Sequence, residues 1–246
     1  METLQTDRRV QRVRHELRRR DMNVASVERL GTDFIRIVFS GDDLSDFVSL
    51  GFDDHVKFMV DDQDGDVVRR DYTPRRFDPA RRLLTIDFAI HGDGKASEWA
   101  RHAVVGQPAV IGGPRGSMIV PTDYDWHLLV GDATAAPAIG RRLAELPPNA
   151  HALVIAQLGD LESLELAQSV AHIELRQVLT PDDLIPALRA MTIPTGDGYA
   201  WAAGEASVMK QVRDFLLLEK MHPRDAMRVA AYWKRGALDF HEELGE

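Results

Sequence analysis

Three short stretches of this sequence gather side chains suited to a flat aromatic cofactor that carries phosphates. In Arg70-Asp-Tyr-Thr-Pro-Arg75 an aromatic ring can stack on a heterocycle, a hydroxyl can reach a ring nitrogen, and guanidinium groups can clamp phosphate. The same residues would equally make an edge strand with charged flanks. In His91-Gly-Asp-Gly-Lys-Ala-Ser-Glu-Trp99 glycines permit close approach, and free N–H groups at a helix start, together with the Ser97 hydroxyl, would meet a pyrophosphate. The alternative is a plain helix cap with Ser97 as the capping residue. The third stretch, Gly131-Asp-Ala-Thr-Ala-Ala-Pro137, follows an apolar run, where a strand-to-helix turn would receive a nucleotide's phosphates. It lacks the G-x-G-x-x-G spacing that would sharpen that reading.

The elements that must hold these stretches change character along the chain. Short alternating runs at 24–27, 34–39, 55–60 and 83–90, separated by turn formers such as Asp61-Asp-Gln-Asp-Gly65, predict strands of a small antiparallel β-barrel. One helix, expected at 97–104, interrupts them. From residue 123 onward apolar runs alternate with helical segments. Strands are expected at 127–130, 152–157, 173–178, 199–202 and 227–232, with helices at 134–146, 161–168, 181–190 and 206–218. That alternation is the pattern of an α/β parallel sheet, whose ligands bind at the carboxyl ends of the strands. The expected organisation is a basic N-terminal extension over 1–20, a barrel over 21–122 and a nucleotide-binding α/β domain over 123–246.

Composition narrows the chemistry. The 246 residues are 44% hydrophobic, enough for a well-buried core, and contain no cysteine. Disulfides, thiolate metal sites and thiol nucleophiles are therefore excluded, and redox chemistry would have to reside on a bound cofactor. A net charge of −9 argues against nucleic acid as partner. Against that sign, Arg8, Arg9, Arg12, Arg14, Arg18, Arg19 and Arg20 crowd the N-terminus; the segment reads as a solvated helical lead-in rather than a polyanion-binding arm. No run approaches the ~20 apolar residues of a spanning helix, and no apolar leader opens the sequence, so the expected address is the cytoplasm, without membrane insertion.

Taken in order, the three stretches resemble the ferredoxin-reductase-like superfamily and, within it, the siderophore-interacting proteins, which are FAD-dependent ferric-siderophore reductases. The resemblance rests on Asp54-His-Val-Lys57, Arg70-x-Tyr-Thr-x-Arg75, His91-Gly-x-Gly-x-Ala-Ser-x-Trp-Ala100, Gly112-Gly-Pro-Arg-Gly116, Gly131-Asp-x-Thr-Ala-x-Pro-Ala138, Trp201-x-Ala-Gly-Glu-Ala206 and Tyr232-Trp-Lys-Arg-Gly236. Lys95 stands where the family usually has proline, and Ala133 where it often has glutamate.

The resemblance implies an FAD site at Arg70, Asp71, Tyr72, Thr73, His91, Gly94, Ala96, Ser97 and Trp99. It implies a nicotinamide nucleotide, NADH or NADPH, along Gly131, Asp132, Thr134, Ala203, Gly204 and Glu205, with no thiol because Ala203 stands where many superfamily members carry cysteine. Basic residues at the flavin rim, Lys57, Arg115, Lys234 and Arg235, suit a ferric siderophore of net negative charge. Hydride would pass from nicotinamide to flavin, and single electrons from flavin to Fe(III), releasing Fe(II). After the second expected parallel strand, Asp160 and Glu162 favour a free ribose hydroxyl and so lean toward NADH.

Overall fold

The computed structural model describes residues 9–61, 67–90, 94–237 and 242–243. In chain order the first strands are β1 (Gln11–Arg14), β2 (Arg19–Leu30), β3 (Phe34–Ser40), β4 (Val56–Asp61), β5 (Val67–Tyr72), β6 (Pro74–Asp78), β7 (Leu83–Ala89), β8 (Pro108–Gly112) and β9 (Gly116–Ile119). Period-two alternation sets their facing: along β3, Ile37 and Phe39 are fully buried while Arg36, Val38 and Ser40 are only partly covered. Seven of these strands make one antiparallel sheet in the order β5-β4-β8-β2-β3-β7-β6. Its edge strands β5 and β6 are separated in the chain by Thr73 alone. The sheet therefore curls until its two edges meet at that residue, which gives the expected barrel the form of a curled half-barrel.

The concave side is filled by Ile37, Phe39, Phe58, Ile86, Phe88 and Ile111, closed by Ala96 and Ala100 of α1 (Lys95–Arg101). At about 25 cal/mol per Å² of apolar surface, each large side chain so buried contributes roughly 1.5–3 kcal/mol.

The second half begins with β10 (Trp126–Asp132), α2 (Ala136–Glu145), β11 (His151–Gln157) and β12 (His172–Val178), and continues with α3 (Pro181–Ala190), β13 (Gly198–Glu205), α4 (Ala206–Asp214), β14 (Met227–Trp233) and β15 (Glu242–Glu243). All residues of β10 and β13 are buried, as expected of strands covered on both faces. The sheet order is β12-β11-β10-β13-β14-β15, parallel except for β15. The chain moves outward from β10 to β12 and then returns to β13, which puts the topological switch between β10 and β13. No described helix is long and apolar enough to cross a membrane.

Two expectations are corrected. The helix expected at 161–168 is instead a pair of 3-10 turns, Glu162–Leu164 and Leu166–Gln168, divided by Glu165 in the left-handed region at φ 48°. The cause is tertiary: Glu165 is held by arginines of the other sheet, and that position is incompatible with a continuous helix. Nor is the basic N-terminus a solvated helical lead-in, since β1 pairs antiparallel with β9 and β2 starts at Arg19. Its cations find acids. Arg9 lies 4.0 Å over the Tyr124 ring and pairs with Asp123 and Asp197, while Arg18 and Arg20 both pair with Asp46.

Four sets of contacts fix one sheet on the other. Arg36 binds Asp87 and Glu165 bidentately at 2.7–2.8 Å, and Arg75 reaches Glu165 at 2.6 Å. The Trp201 indole donates to Asp53 at 2.9 Å, and Arg228 lies 3.3 Å from the same carboxylate. Arg141 donates to Ser49 and to the Pro74 carbonyl. The turn between β2 and β3 is tied at Thr32, whose amide and hydroxyl both donate to Asp160.

His127 of β10 is wholly inaccessible, and burial first, then the nearby Arg142 charge, pulls its imidazole down to about 4. An unfolded histidine titrates near 6.5, so this group's stabilisation is complete above that pH and is lost as pH falls toward 4. The span corresponds to about 3 kcal/mol. Urea midpoints at pH 7.5 and 4.5 should differ less in His127→Leu than in the wild type. Equal differences would show that His127 does not charge on unfolding.

Candidate functional site

On the curled sheet, Tyr72 ends β5 with its ring inward, 4.4 Å from Phe88 and 5.9 Å from Phe58 between centroids. Burial pushes its phenol well above the ordinary tyrosine range, with Arg70 pulling the other way. Thr73, at the corner where the sheet edges meet, is buried, and its hydroxyl has no partner among the described residues. Arg70 is half-buried and donates to the Arg69 carbonyl. Arg75, by contrast, is committed to Glu165 and is withdrawn from any phosphate.

The start of α1 carries Gly94 as its N-cap, with no side-chain cap. A Cβ built at Gly94 would meet nothing nearer than Ser97 Oγ at 3.8 Å. The approach to the first-turn amides is open. Ser97 does not face that opening as a donor, because its hydroxyl donates to the Ala89 carbonyl at 3.0 Å and binds the helix to β7. Ala96 is buried in the barrel core, and the Trp99 ring packs 4.8 Å from Phe58. His91 lies outside the described residues.

An aromatic ring at a sheet corner, an unengaged hydroxyl and an uncapped helix start fit a flavin with its diphosphate.

On the parallel sheet the expected residues converge at the β10/β13 switch, but largely upon one another. Asp132 accepts from the Thr134 amide at 2.9 Å and its hydroxyl at 2.6 Å, and through its other oxygen from the Glu205 amide at 3.1 Å and the Trp233 indole at 2.8 Å. Glu205 caps α4 through the Ser207 and Val208 amides, at 2.8 and 3.2 Å. Burial alone would push Glu205 up, yet these donors hold it below its ordinary range. Gly204, at φ +154°, leaves no room for a side chain, since a Cβ would lie 2.6 Å from Asp132. Gly131 is likewise closed off by Ala135 and the Ala203 carbonyl, and Ala203 is itself fully buried. These residues shape the crevice, and a ligand would meet their backbone more than their polar side chains.

Sequence reasoning missed the organising role of Trp233, whose bond ties β14 to β10. The Tyr-Trp-Lys-Arg run carried that signal only as part of a motif. Tyr232 is partly buried at the junction, its ring edge-on to Trp201 at 6.4 Å, and desolvation raises its phenol first, followed by the charge of Asp53, set against Arg228, and then by Asp71 and Asp132. Groups from both sheets therefore sit within electrostatic reach of one ring.

Of the basic residues, Lys57 pairs with Asp71 at 2.7 Å, while Arg115, Lys234 and Arg235 are exposed. The Asp71 side chain is thus turned to Lys57, leaving its backbone to a cofactor. Asp160, read above as a ribose partner, is engaged by Thr32, which removes the ground for favouring NADH. Among the described residues no group of three or more His, Asp or Glu is placed to hold a metal ion.

Comparison with known proteins agrees with this geometry. The sequence profile described as siderophore-interacting protein matches residues 124–236, and that described as siderophore-interacting FAD-binding domain matches 23–69 and 61–118. The NADPH-dependent ferric-chelate reductase of Escherichia coli K12 is 36% identical over 93% of this chain and 98% of its own length. The chain belongs to the siderophore-interacting protein family. A second relative, the ferric vibriobactin reductase of Vibrio cholerae, is 28% identical over 86% of this chain and 88% of its own. The crystal structure of a siderophore utilization protein from T. fusca superposes with a TM-score of 0.86 at 30% identity, covering 94% of this chain and 98% of that one. The flavohem-like FAD/NAD-binding domain of a Vibrio cholerae nitric oxide dioxygenase, at 17% identity and a TM-score of 0.66 over 85% of this chain and 96% of that one, shares the fold. Within the family frame, the curled sheet is the FAD-binding half and the β10/β13 crevice belongs to the half matched by the siderophore-interacting profile.

Replacing Asp132 by Asn would turn two of its four donors against an NH2 group. Asp132→Asn should lower stability by about 2 kcal/mol and alter tryptophan emission, the emission change being absent in a Trp233→Phe background. Persistence of that change without Trp233 would break the assigned bond.

Proposed function

We propose that this chain is an FAD-dependent reductase that takes reducing equivalents from NADPH and delivers them to a ferric siderophore. The observation that carries the proposal is the seating of the parallel sheet on the FAD-binding half beside its β10/β13 switch, where the Trp201 indole of β13 donates to Asp53 at 2.9 Å and the Trp201 ring packs edge-on against Phe52 and Tyr232. Such a junction lets a flavin held by one half meet a nicotinamide held by the other.

FAD, when bound, supplies acceptance of a hydride and release of electrons singly, which matches Fe(III) to Fe(II). The chain's own work is positioning and exclusion of water. Tyr72 and Thr73 would face the ring system, and Arg70 with the open start of α1 at Gly94 and Ala96 would meet the phosphates. His91 and Trp99 would flank the adenosine side. Gly131, Asp132, Thr134, Ala203, Gly204 and Glu205 would shape the nicotinamide crevice. No side chain is needed as general acid or base for hydride transfer. NADPH is preferred because the related reductase of E. coli is NADPH-dependent and because Asp160 is engaged by Thr32.

In this reading the flavin domain covers 21–122 and the nucleotide domain 123–246, with the strand inside the 1–20 extension docking on the former. The substrate is a ferric chelate of net negative charge met by Arg115, Lys234 and Arg235 with Lys57, and the reaction takes place in the cytoplasm.

Under argon, NADPH should bleach the visible absorption of the FAD-loaded protein, and a ferric siderophore should restore it while Fe(II) appears in a chelator assay. Bleaching by dithionite but not by NADPH would reduce the protein to a flavin- and siderophore-binding one, a reading favoured by the internal bonding of Asp132, Thr134 and Glu205. Fast reoxidation by a neutral quinone, with none by ferric chelates, would remove the iron assignment. Tyr72→Ala should weaken FAD retention by about 1–2 kcal/mol, whereas Tyr72→Phe, which keeps the ring against Phe88, should retain it. Equal retention in the Ala variant would place the isoalloxazine elsewhere.

A further inference from the structure

The expected docking cations are not electrostatically equivalent. Lys57 and Asp71 are direct cross-strand partners on β4 and β5, and their charged groups meet at 2.7 Å with side chains 45% and 23% exposed. The second carboxylate oxygen of Asp71 is buried without a hydrogen-bond partner among the described residues. On the other side of Lys57 the row continues to Gly112 of β8, which has no side chain to cover the lysine stem. From Gly112 the chain runs into the loop that carries Arg115, and Arg14 lies opposite Gly116 on the paired strand. Neither Arg14 nor Arg115 has a side-chain hydrogen bond or ion pair among the described residues. Among the described residues this row thus ends in guanidiniums without acids of their own, beside one ammonium that is already neutralised.

An anionic iron complex approaching this row is drawn by Arg14 and Arg115 and opposed by Asp71. It must also compete with Asp71 for Lys57. A neutral complex feels neither term to first order. We propose that Asp71 is a specificity-determining residue that limits how negatively charged a ferric chelate the site accepts, by holding Lys57 in a neutral pair. The inference rests on the ferric-chelate reading above and adds to it a residue that selects among chelates by charge.

Redox-inert gallium(III) complexes allow binding to be measured apart from turnover: a triply anionic tris-catecholate and a neutral tris-hydroxamate, titrated by calorimetry into FAD-loaded protein. Asp71→Asn should tighten the anionic complex about tenfold at low ionic strength and about threefold near physiological salt, the size expected for removing one charge about 8 Å from a triply charged ligand in water. The readout is the anionic-to-neutral affinity ratio, in which any change common to both complexes cancels, and Asp71→Glu should keep the wild-type ratio. Lys57→Gln, which leaves Asp71 uncompensated, should shift the preference in the opposite direction and provides an independent test. Flavin-normalised rates with the corresponding ferric complexes should follow the same ratios.

An unchanged anionic-to-neutral ratio in both Asp71→Asn and Lys57→Gln would overturn the proposal. So would equal tightening of both complexes, which would indicate altered packing instead of altered charge. If the wild type bound neither gallium complex and reduced no ferric chelate, the proposed function itself would fall, a result distinct from a wild type that binds and reduces but ignores residue 71.

Discussion

The contact between Glu165 and the guanidiniums of Arg36 and Arg75 constrains the rest of the molecule, because it joins the two sheets through charges that water barely reaches. Arg75 is 3% exposed and Asp87 2%, so two cations and two carboxylates balance within a buried cluster. Burial would push the Glu165 carboxyl up, yet its bonds to Arg36 and the neighbouring Arg75 charge hold it below its ordinary range. The net stabilisation from such a cluster is small, since desolvation offsets attraction, but removing one member strands the others at a cost of about 3–5 kcal/mol. Its contribution is therefore geometric: it penalises any placement of one sheet on the other that separates these groups.

That placement seats α2 against the Pro74 side of the corner and the parallel sheet against the loop before β4. Trp201 and Arg228 share Asp53, Arg141 grips the Ser49 and Pro74 backbone, and the β2–β3 turn is tied to Asp160. Inside the crevice, Asp132 and Glu205 spend their acceptors on Thr134, Trp233, Ser207 and Val208. These bonds are made within the chain itself. A ligand entering there meets backbone already in place and does not have to order it, which lowers the cost of binding and makes orientation the main product of the fold.

Most of the fold was legible because it is written in local periodicity: alternation in β3 and β7, continuous apolar runs in β10 and β13. The three cofactor-like stretches were legible as residue types, and their order pointed to the family. Their individual bonds were not. Arg75 reads as a phosphate clamp beside Tyr72, but its partner Glu165 is 90 residues away in a left-handed turn that no local rule predicts. Ser97 reads as a phosphate donor until the Ala89 carbonyl is found 3.0 Å from it. Asp160 reads as a ribose partner until Thr32 is folded onto it. In each case a polar side chain compatible with a ligand has an equally good protein partner distant in sequence, and only tertiary structure chooses between them. The N-terminal arginines failed for the same reason, their carboxylates lying at 46, 123 and 197.

Those pairings also bear on how a chain of net charge −9 would serve the anionic substrate proposed for it. Net charge acts at long range, where salt screens it within about 8 Å at physiological ionic strength. What a ligand meets at contact is the local remainder after internal pairing. The acids at 46, 87, 123, 165 and 197 are consumed by arginines of the interior and of the N-terminal arm, so they subtract little from the field at the cleft. Around the Gly112–Gly116 loop the remainder is positive, because Arg14 and Arg115 have no acids of their own among the described residues. The arginine-rich start of the chain thus does two kinds of work along one short stretch: Arg9, Arg18 and Arg20 fasten the fold, and Arg14 adds positive charge opposite Gly116 on the β1–β9 pair.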